Sequence, residues 1–167
     1  NCTAALDCNN VCGGDAVEDD CGVCGGTGTS CYSNVSFQLE ATDSGLDIWM
    51  TSDVAMSGFQ FDVSGIVLDG TGSGGIAGDS GFSVSTGTET GTVLGFSMTG
   101  AVIPAQPDGA LLTSISGSFN SAESCIDPLS LILAIDATGF LNQSAGDCVD
   151  TGWSAPYVYI DIMYDSE

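Results

Sequence analysis

The residues best suited to chemistry are carboxylates placed between cysteines near the start of the chain. Five of them lie there: Asp7, Asp15, Glu18, Asp19 and Asp20. Calcium takes six to eight oxygen ligands, from carboxylates and backbone carbonyls, on a sharply turning loop. Glycine pairs clamped by disulfides would supply such turns. The spacing does not match an EF-hand, so we expect an irregular Ca²⁺ site within residues 7–31, against the alternative of a solvated acidic loop.

The charge of the whole chain strengthens the case for a bound cation. The 167 residues include no Lys, Arg or His but 22 Asp and Glu, for a formal net charge of −22. The carboxylates must therefore be solvated, hydrogen-bonded or neutralised by cations, and oxygen-rich ligands favour a hard ion such as Ca²⁺. Without Lys and Arg, we expect no binding to nucleic acid or to anionic lipid.

The cysteines indicate disulfides and an oxidising, extracellular location. There are eight: Cys2, Cys8, Cys12, Cys21, Cys24, Cys31, Cys125 and Cys148. The last two are expected to pair, closing a loop that stabilises the fold by about 3 kcal/mol. Pairing among the first six stays open, with bonds between sequence neighbours (Cys2–Cys8, Cys12–Cys21, Cys24–Cys31) as the working hypothesis. The alternative is a zinc site made by Cys8, Cys12, Cys21 and Cys24.

A change in amino-acid composition divides the chain into two parts. Residues 1–33 form a small Gly- and Asp-rich N-terminal arm that has too little apolar area to fold without disulfides. Residues 34–167, the β-domain, alternate apolar and polar side chains, as half-buried strands do. Candidate strands are 35–41, 46–50, 59–63, 66–68, 82–85, 93–98, 111–119, 131–136 and 157–164. Eight or nine short strands with glycine-rich turns between them, such as 69–81, predict an all-β, two-sheet sandwich or jelly roll.

Two sets of motifs resemble known proteins. The arm carries DCNNVCGG at 7–14 and DCGVCGG at 20–26, followed by TGTSC at 27–31. These resemble Cys-rich repeats of large secreted surface proteins of environmental bacteria. The segments SGFQFDV (57–63), GFSVS (81–85) and VLGFS (93–97) resemble cohesin-like domains. That resemblance implies a nine-stranded jelly roll that binds other proteins in calcium-dependent surface assemblies.

Other residues suggest contacts on the surface. Trp49, Tyr157 and Tyr159 fall on the polar side of their strands, where they would meet a partner protein or a sugar, or lie under a covering loop. Asn1, Asn34 and Asn142 occupy N-glycosylation sequons. No apolar run reaches the length of a membrane span, so no membrane insertion is expected. Paired carboxylates could cleave glycosides, but nothing marks a catalytic cleft, and we expect no enzyme activity.

These patterns lead to two functional hypotheses. The first is a structural subunit or repeat unit of an extracellular fibre or surface layer, stabilised by Ca²⁺. In it, the N-terminal arm of one copy lies on the β-domain of the next, a head-to-tail contact that builds a homo-polymer. The second is a cohesin-like binding module of a surface protein that recognises a partner protein or a glycan.

Overall fold

A computed structural model describes residues 2–28, 31–127, 131–135 and 140–155, and this part of the chain is almost entirely β-structure. The strands are β1 (Tyr32–Thr42), β2 (Gly45–Ser52), β3 (Ala55–Asp62), β4 (Ile66–Ser73), β5 (Ser83–Thr86), β6 (Thr92–Phe96), β7 (Gln106–Phe119), β8 (Glu123–Ser124), β9 (Leu131–Ile135), β10 (Phe140–Ala145) and β11 (Val149–Asp150). One short helix, α1 (Gly75–Asp79), lies between β4 and β5. The prediction of an all-β protein is confirmed.

Nine of these strands hydrogen-bond into one sheet. Its order is β10-β1-β2-β7-β4-β5-β6-β3-β9, while β8 and β11 pair separately. All neighbours in the large sheet are antiparallel except β1 and β10, which are parallel. The sheet is therefore mixed, and two strands far apart in sequence share one of its ends.

The sheet curls until its two ends face each other. Five strands lie between β1 and β3 in the sheet order, so in a flat sheet they would be about 29 Å apart. Yet the ring of Phe37 on β1 lies 5.3 Å from the ring of Phe61 on β3, between centroids. A register shift between Leu68 and Gly72 helps β4 to bend as it passes from β7 towards β5.

The interior of the curl is filled by one face of the strands. Along β1, Val35 and Phe37 are buried, while Gln38 between Phe37 and Leu39 is exposed. The fully buried large side chains are Phe37, Phe59, Phe61, Leu46, Ile48, Met50, Met56, Leu68, Ile103, Leu112, Val35 and Val93. The period-two pattern of the sequence thus predicts correctly which face of β1, β2 and β3 forms the core.

Two segments depart from the prediction. The stretch 69–81, expected to be a turn, holds the end of β4 and the helix α1, because Ala77 of that helix is buried against the sheet. The strand β10 was not predicted, since Phe140–Ala145 is half polar without alternation of apolar and polar residues and pairs only along an edge. The predicted strand 157–164 lies outside the described residues.

Candidate functional site

A carboxylate organises the first turn of the N-terminal arm. Asp7 Oδ1 accepts hydrogen bonds from the backbone amides of Asn9 (3.0 Å) and Val11 (2.7 Å). Asn10, inside the turn, has a positive φ of 62°. Gly14 lies so close to the Asp7 carboxylate that a side chain there would overlap it. Asp7 is thus surrounded by the backbone that it holds.

The second turn repeats this construction and adds a bond. Asp19 Oδ1 accepts hydrogen bonds from the amides of Cys21 and Val23, both at 2.9 Å. Its second oxygen, Oδ2, accepts one from the amide of Gly28 at 2.8 Å. Gly26 lies against this carboxylate as Gly14 lies against that of Asp7. Both oxygens of Asp19 are therefore engaged with backbone amides.

The geometry corrects the alignment of the two repeats. In the sequence, the DC pair at 7–8 matches the DC pair at 20–21, which makes Asp20 the partner of Asp7. In the structure Asp19, twelve residues after Asp7, makes the equivalent bonds, and Asp20 falls opposite Cys8. The match between the two DC pairs is misleading because the turn depends on the spacing between the carboxylate residue and the backbone amide four residues later. Identity of the residue types alone does not determine it.

The disulfides are Cys2–Cys12, Cys8–Cys24, Cys21–Cys31 and Cys125–Cys148. The predicted bond between the last two cysteines is confirmed, and the pairing of sequence neighbours in the N-terminal arm is wrong. The Cys8–Cys24 bond links the first turn to the second. It does not connect two cysteines within the same turn. The zinc alternative is also wrong, because its four cysteines are all in disulfides.

Hydrogen bonding perturbs one carboxylate of the N-terminal arm. The amide of Val23, then that of Gly28, holds the pKa of Asp19 below its usual value, and the amide of Cys21 adds to the effect. Partial burial opposes the shift without reversing it. Backbone donors that favour the charged form are the expected cause of such a depression. Asp19 therefore acts as an anion that keeps its turn folded.

The other predicted metal ligands point into solvent. Asp15, Glu18 and Asp20 are exposed, and their side chains make no hydrogen bond to another described residue. Within residues 2–28, 31–127, 131–135 and 140–155, no three Asp, Glu, Cys or His side chains converge into a group that could hold a metal ion. Calcium binding by the N-terminal arm therefore stays a prediction, with Asp7 and Asp19 already engaged in turn formation.

Trp49 lies on the outer face of the sheet, as its strand phase predicts. Its indole is 40% exposed, and Nε1 donates a hydrogen bond to Glu40 Oε2 at 3.0 Å. Beside it runs a shallow groove of about 240 Å³, lined by Ser36, Gln38, Trp49, Met50, Thr51, Asp108 and Gly109. The sequence pattern indicated the tryptophan as a surface contact residue but not its neighbours in the groove. The polar phase of β1 could have indicated Ser36 and Gln38.

Two of the three sequons meet across neighbouring strands. Asn34 on β1 and Asn142 on β10 are register partners, and Asn142 Nδ2 donates to Asn34 Oδ1 at 3.2 Å. Asn34 Nδ2 donates in turn to Asp53 Oδ2 at 2.8 Å. Asn1, Tyr157 and Tyr159 lie outside the described residues.

Comparison with known proteins finds no match to a family model, to a curated protein or to a solved structure. Among the described helices, none is long and apolar enough to cross a membrane. The described part of the molecule is a curled, mixed β-sheet with a disulfide-linked N-terminal arm.

Proposed function

We propose that this protein is a non-catalytic structural unit of an extracellular fibre or surface layer, assembled head to tail. The observation that carries the proposal is the apolar surface of the N-terminal arm. Four of its apolar side chains are exposed to solvent: Leu6 (57%), Val11 (54%), Val17 (74%) and Val23 (45%). Exposed apolar side chains lose contact with water, and so gain stability, when another molecule covers them.

The construction of the N-terminal arm suits a contact of this kind. Disulfides and carboxylate-centred turns hold it, so its apolar side chains are not needed for an internal core. Val11 and Val23 occupy the same place in the two turns, since each donates its amide to the turn carboxylate. The arm therefore offers a repeated, rigid surface, which costs little conformational entropy when it binds. A neighbour's β-domain is the partner we propose, because that contact repeats without closing.

Calcium is part of the proposal because of charge. Each copy carries a formal charge of −22 with no positive side chain, so copies repel one another. Divalent cations at exposed carboxylates would reduce that repulsion. Asp15, Glu18 and Asp20 of the N-terminal arm are the carboxylates we assign to this role, since no other described side chain bonds to them. Four disulfides support the extracellular setting.

For the β-domain we propose a cohesin-like jelly roll. The link between β4 and β5 consists of two registered pairs, Thr71 with Ser85 and Gly72 with Val84. This narrow link divides the sheet into a group β10-β1-β2-β7-β4 and a group β5-β6-β3-β9, which supports two facing layers. The large sheet has nine strands among the described residues, the number that the cohesin resemblance implies.

Electron microscopy of the purified protein, with calcium and with a chelator, tests the assembly. We expect filaments or sheets in calcium that loosen on chelation. Val17→Asp should abolish them, because it places a charge on the apolar surface of the N-terminal arm. Val17→Ile is the matched control, since it keeps an apolar side chain at the same position, which is 74% exposed in the wild type. Discrete particles at every concentration, in calcium, would overturn the proposal.

A second candidate is a cohesin-like binding module of a surface protein. The groove beside Trp49 favours it, because an exposed aromatic ring surrounded by polar side chains is typical of recognition surfaces. A monomer that binds a ligand saturably, with no polymer, would favour this candidate over the fibre.

A further inference from the structure

On its outer face, the sheet carries a group of polar side chains from β1, β2 and β7 that have no hydrogen-bond partner among the described residues. Ser36, Gln38, Thr51 and Asp108 line the Trp49 groove, and their side chains make no hydrogen bond to another residue that the structure describes. They offer hydroxyl and amide donors as well as hydroxyl, amide and carboxylate acceptors. A set of this kind fits a ligand that both donates and accepts hydrogen bonds along its length.

The aromatic ring in the middle of this group is held in place. Trp49 Nε1 donates to Glu40 Oε2, so the indole cannot swing away from β1 without losing a charge-assisted bond. With this edge engaged, the ring can contribute to binding mainly through its apolar surface. An apolar surface beside free hydrogen-bonding groups matches a sugar ring, which presents C–H groups on its faces and hydroxyls around its rim.

A second concave region shares one lining residue, Gln38, with the groove. It has a volume of about 310 Å³ and is lined by Gln38, Leu39, Asp147, Cys148 and Val149. Pockets that enclose a drug-sized ligand measure about 300–1,000 Å³, so the first region lies below this range and the second only reaches its lower end. Together they suit a chain of small units that crosses β1 at Gln38, with one unit on each side.

Charge selects among the ligands of this shape. Glu40, Asp108 and Asp147 lie at or beside the two regions, and no positive side chain exists anywhere in the chain. An anionic chain would therefore be repelled. A basic peptide would pair with the carboxylates. Its ammonium groups cannot accept hydrogen bonds from Ser36, Gln38 and Thr51, whereas the hydroxyls of a sugar can.

From these observations we infer that the groove is a binding site for a neutral oligosaccharide. One sugar ring packs on Trp49, and the chain continues across Gln38 towards Asp147. The site lies on the β-domain and involves no residue of the N-terminal arm. It therefore goes beyond the proposed assembly and does not depend on it, and it names the ligand class for the groove of the second candidate.

Isothermal titration calorimetry of the full chain tests the inference. The probes are cellohexaose, xylohexaose and mannohexaose as neutral chains, hexagalacturonate as an anionic chain, and hexalysine as a basic peptide. We expect saturable binding of at least one neutral probe and none of the anionic one. Trp49→Ala should weaken that binding by about tenfold or more, the loss expected for an aromatic contact of about 1.4 kcal/mol.

Two further variants separate binding from folding. Gln38→Ala changes an exposed side chain and should also weaken binding, while Val67→Ala, exposed on β4, should leave it unchanged. Circular dichroism checks that each variant is folded. The inference is overturned if no neutral probe binds, if both Trp49→Ala and Gln38→Ala bind as the wild type does, or if only hexalysine binds. Filament formation is scored separately by microscopy, so that a failure of one proposal is not read as a failure of the other.

Discussion

Phe59 on β3 packs its ring directly against the backbone of Gly95 on β6, its register partner. The two residues face each other across an antiparallel pair inside the curl. The ring occupies the space that a side chain at position 95 would need. It also stacks between the rings of Phe61 and Phe82, with centroids 5.9 Å and 6.4 Å away. A residue without a side chain is therefore part of the aromatic core.

The first prediction concerns this contact. Gly95→Ala should lower the free energy of unfolding by about 1–3 kcal/mol, because the added methyl group overlaps the Phe59 ring in a packed core. Gly78→Ala is the matched control. Position 78 lies in α1 with open space around it, so the change should be neutral or slightly stabilising. Urea unfolding of both variants measures the difference, and equal stabilities would contradict the packing described.

The second prediction concerns the lowered pKa of Asp19. Its folded pKa lies below its unfolded value, so the ionised carboxylate stabilises the second turn at pH values above the unfolded pKa, about 3.9. That stability is lost as the pH falls through the folded pKa. An NMR titration should find the Asp19 midpoint in the oxidised protein below that of the same residue in the reduced, denatured chain.

A substitution at the same position tests the cause of the shift. Asp19→Asn keeps an oxygen for the Cys21 and Val23 amides but turns an NH₂ group towards the Gly28 amide. Faster hydrogen exchange at Gly28 is expected. Asp7→Asn should be milder, because only Oδ1 of Asp7 has backbone amide partners in the first turn. Equal effects in the two turns would argue against a special role for the Gly28 bond.

The third prediction concerns the disulfide of the β-domain. Replacing both Cys125 and Cys148 by serine should lower the free energy of unfolding by about 3 kcal/mol, since the bond restricts a loop with a sequence separation of 23. Urea unfolding under oxidising conditions gives the value. A change below 1 kcal/mol would mean that β8 and β11 restrain this loop without the bond.

The fourth prediction concerns calcium. A variant with Asp15→Asn, Glu18→Gln and Asp20→Asn should bind fewer calcium ions than the wild type and should gain less thermal stability from calcium. A variant with Asp43→Asn, Asp69→Asn and Asp79→Asn, equal in charge, is the control. Titration calorimetry with CaCl₂ counts the ions. If the two variants lose the same number, the arm has no site and calcium acts as a general counter-ion.

The fifth prediction concerns the paired sequons. Asn34 and Asn142 hydrogen-bond across neighbouring strands, so two attached glycans would start side by side and crowd each other, and attachment at Asn142 Nδ2 would disturb this bond. When the protein is secreted from a host that glycosylates sequons, each folded molecule should carry a glycan at one of the two positions at most. Intact-mass and peptide-level mass spectrometry measure the occupancy. Molecules glycosylated at both positions would refute this.

The sequence predicted the features that depend on local pattern. Alternation identified Val35, Phe37 and Phe61 as core residues and Trp49 as a surface residue, because the period of a strand fixes which face each side chain takes. The bond between Cys125 and Cys148 was predictable because they are the two cysteines of residues 34–167. The order of the strands was not predictable in this way. It depends on which edges meet after the sheet curls, and alternation carries no information on that.

The N-terminal arm could be predicted only in outline. Its motifs indicated tight turns and disulfides, but Asp19 and Asp20 are adjacent, and composition gives no reason to prefer one as the turn carboxylate. The choice follows from hydrogen bonds to amides two and four residues later. The Trp49 groove could not be predicted for a different reason. One of its lining residues, Asp108, lies on β7, which is next to β2 in the sheet but distant from it in sequence.

The parallel pairing of β1 with β10 also bears on how the protein folds. The bond between Asn34 and Asn142 joins residues 108 positions apart, so this end of the sheet cannot form until most of the chain is present. Contacts of such long range make folding slow, on the order of milliseconds to seconds. Until then the edge of β1 is free to pair with another chain. A secreted chain that emerges from its amino end would therefore pass through a stage in which aggregation competes with folding.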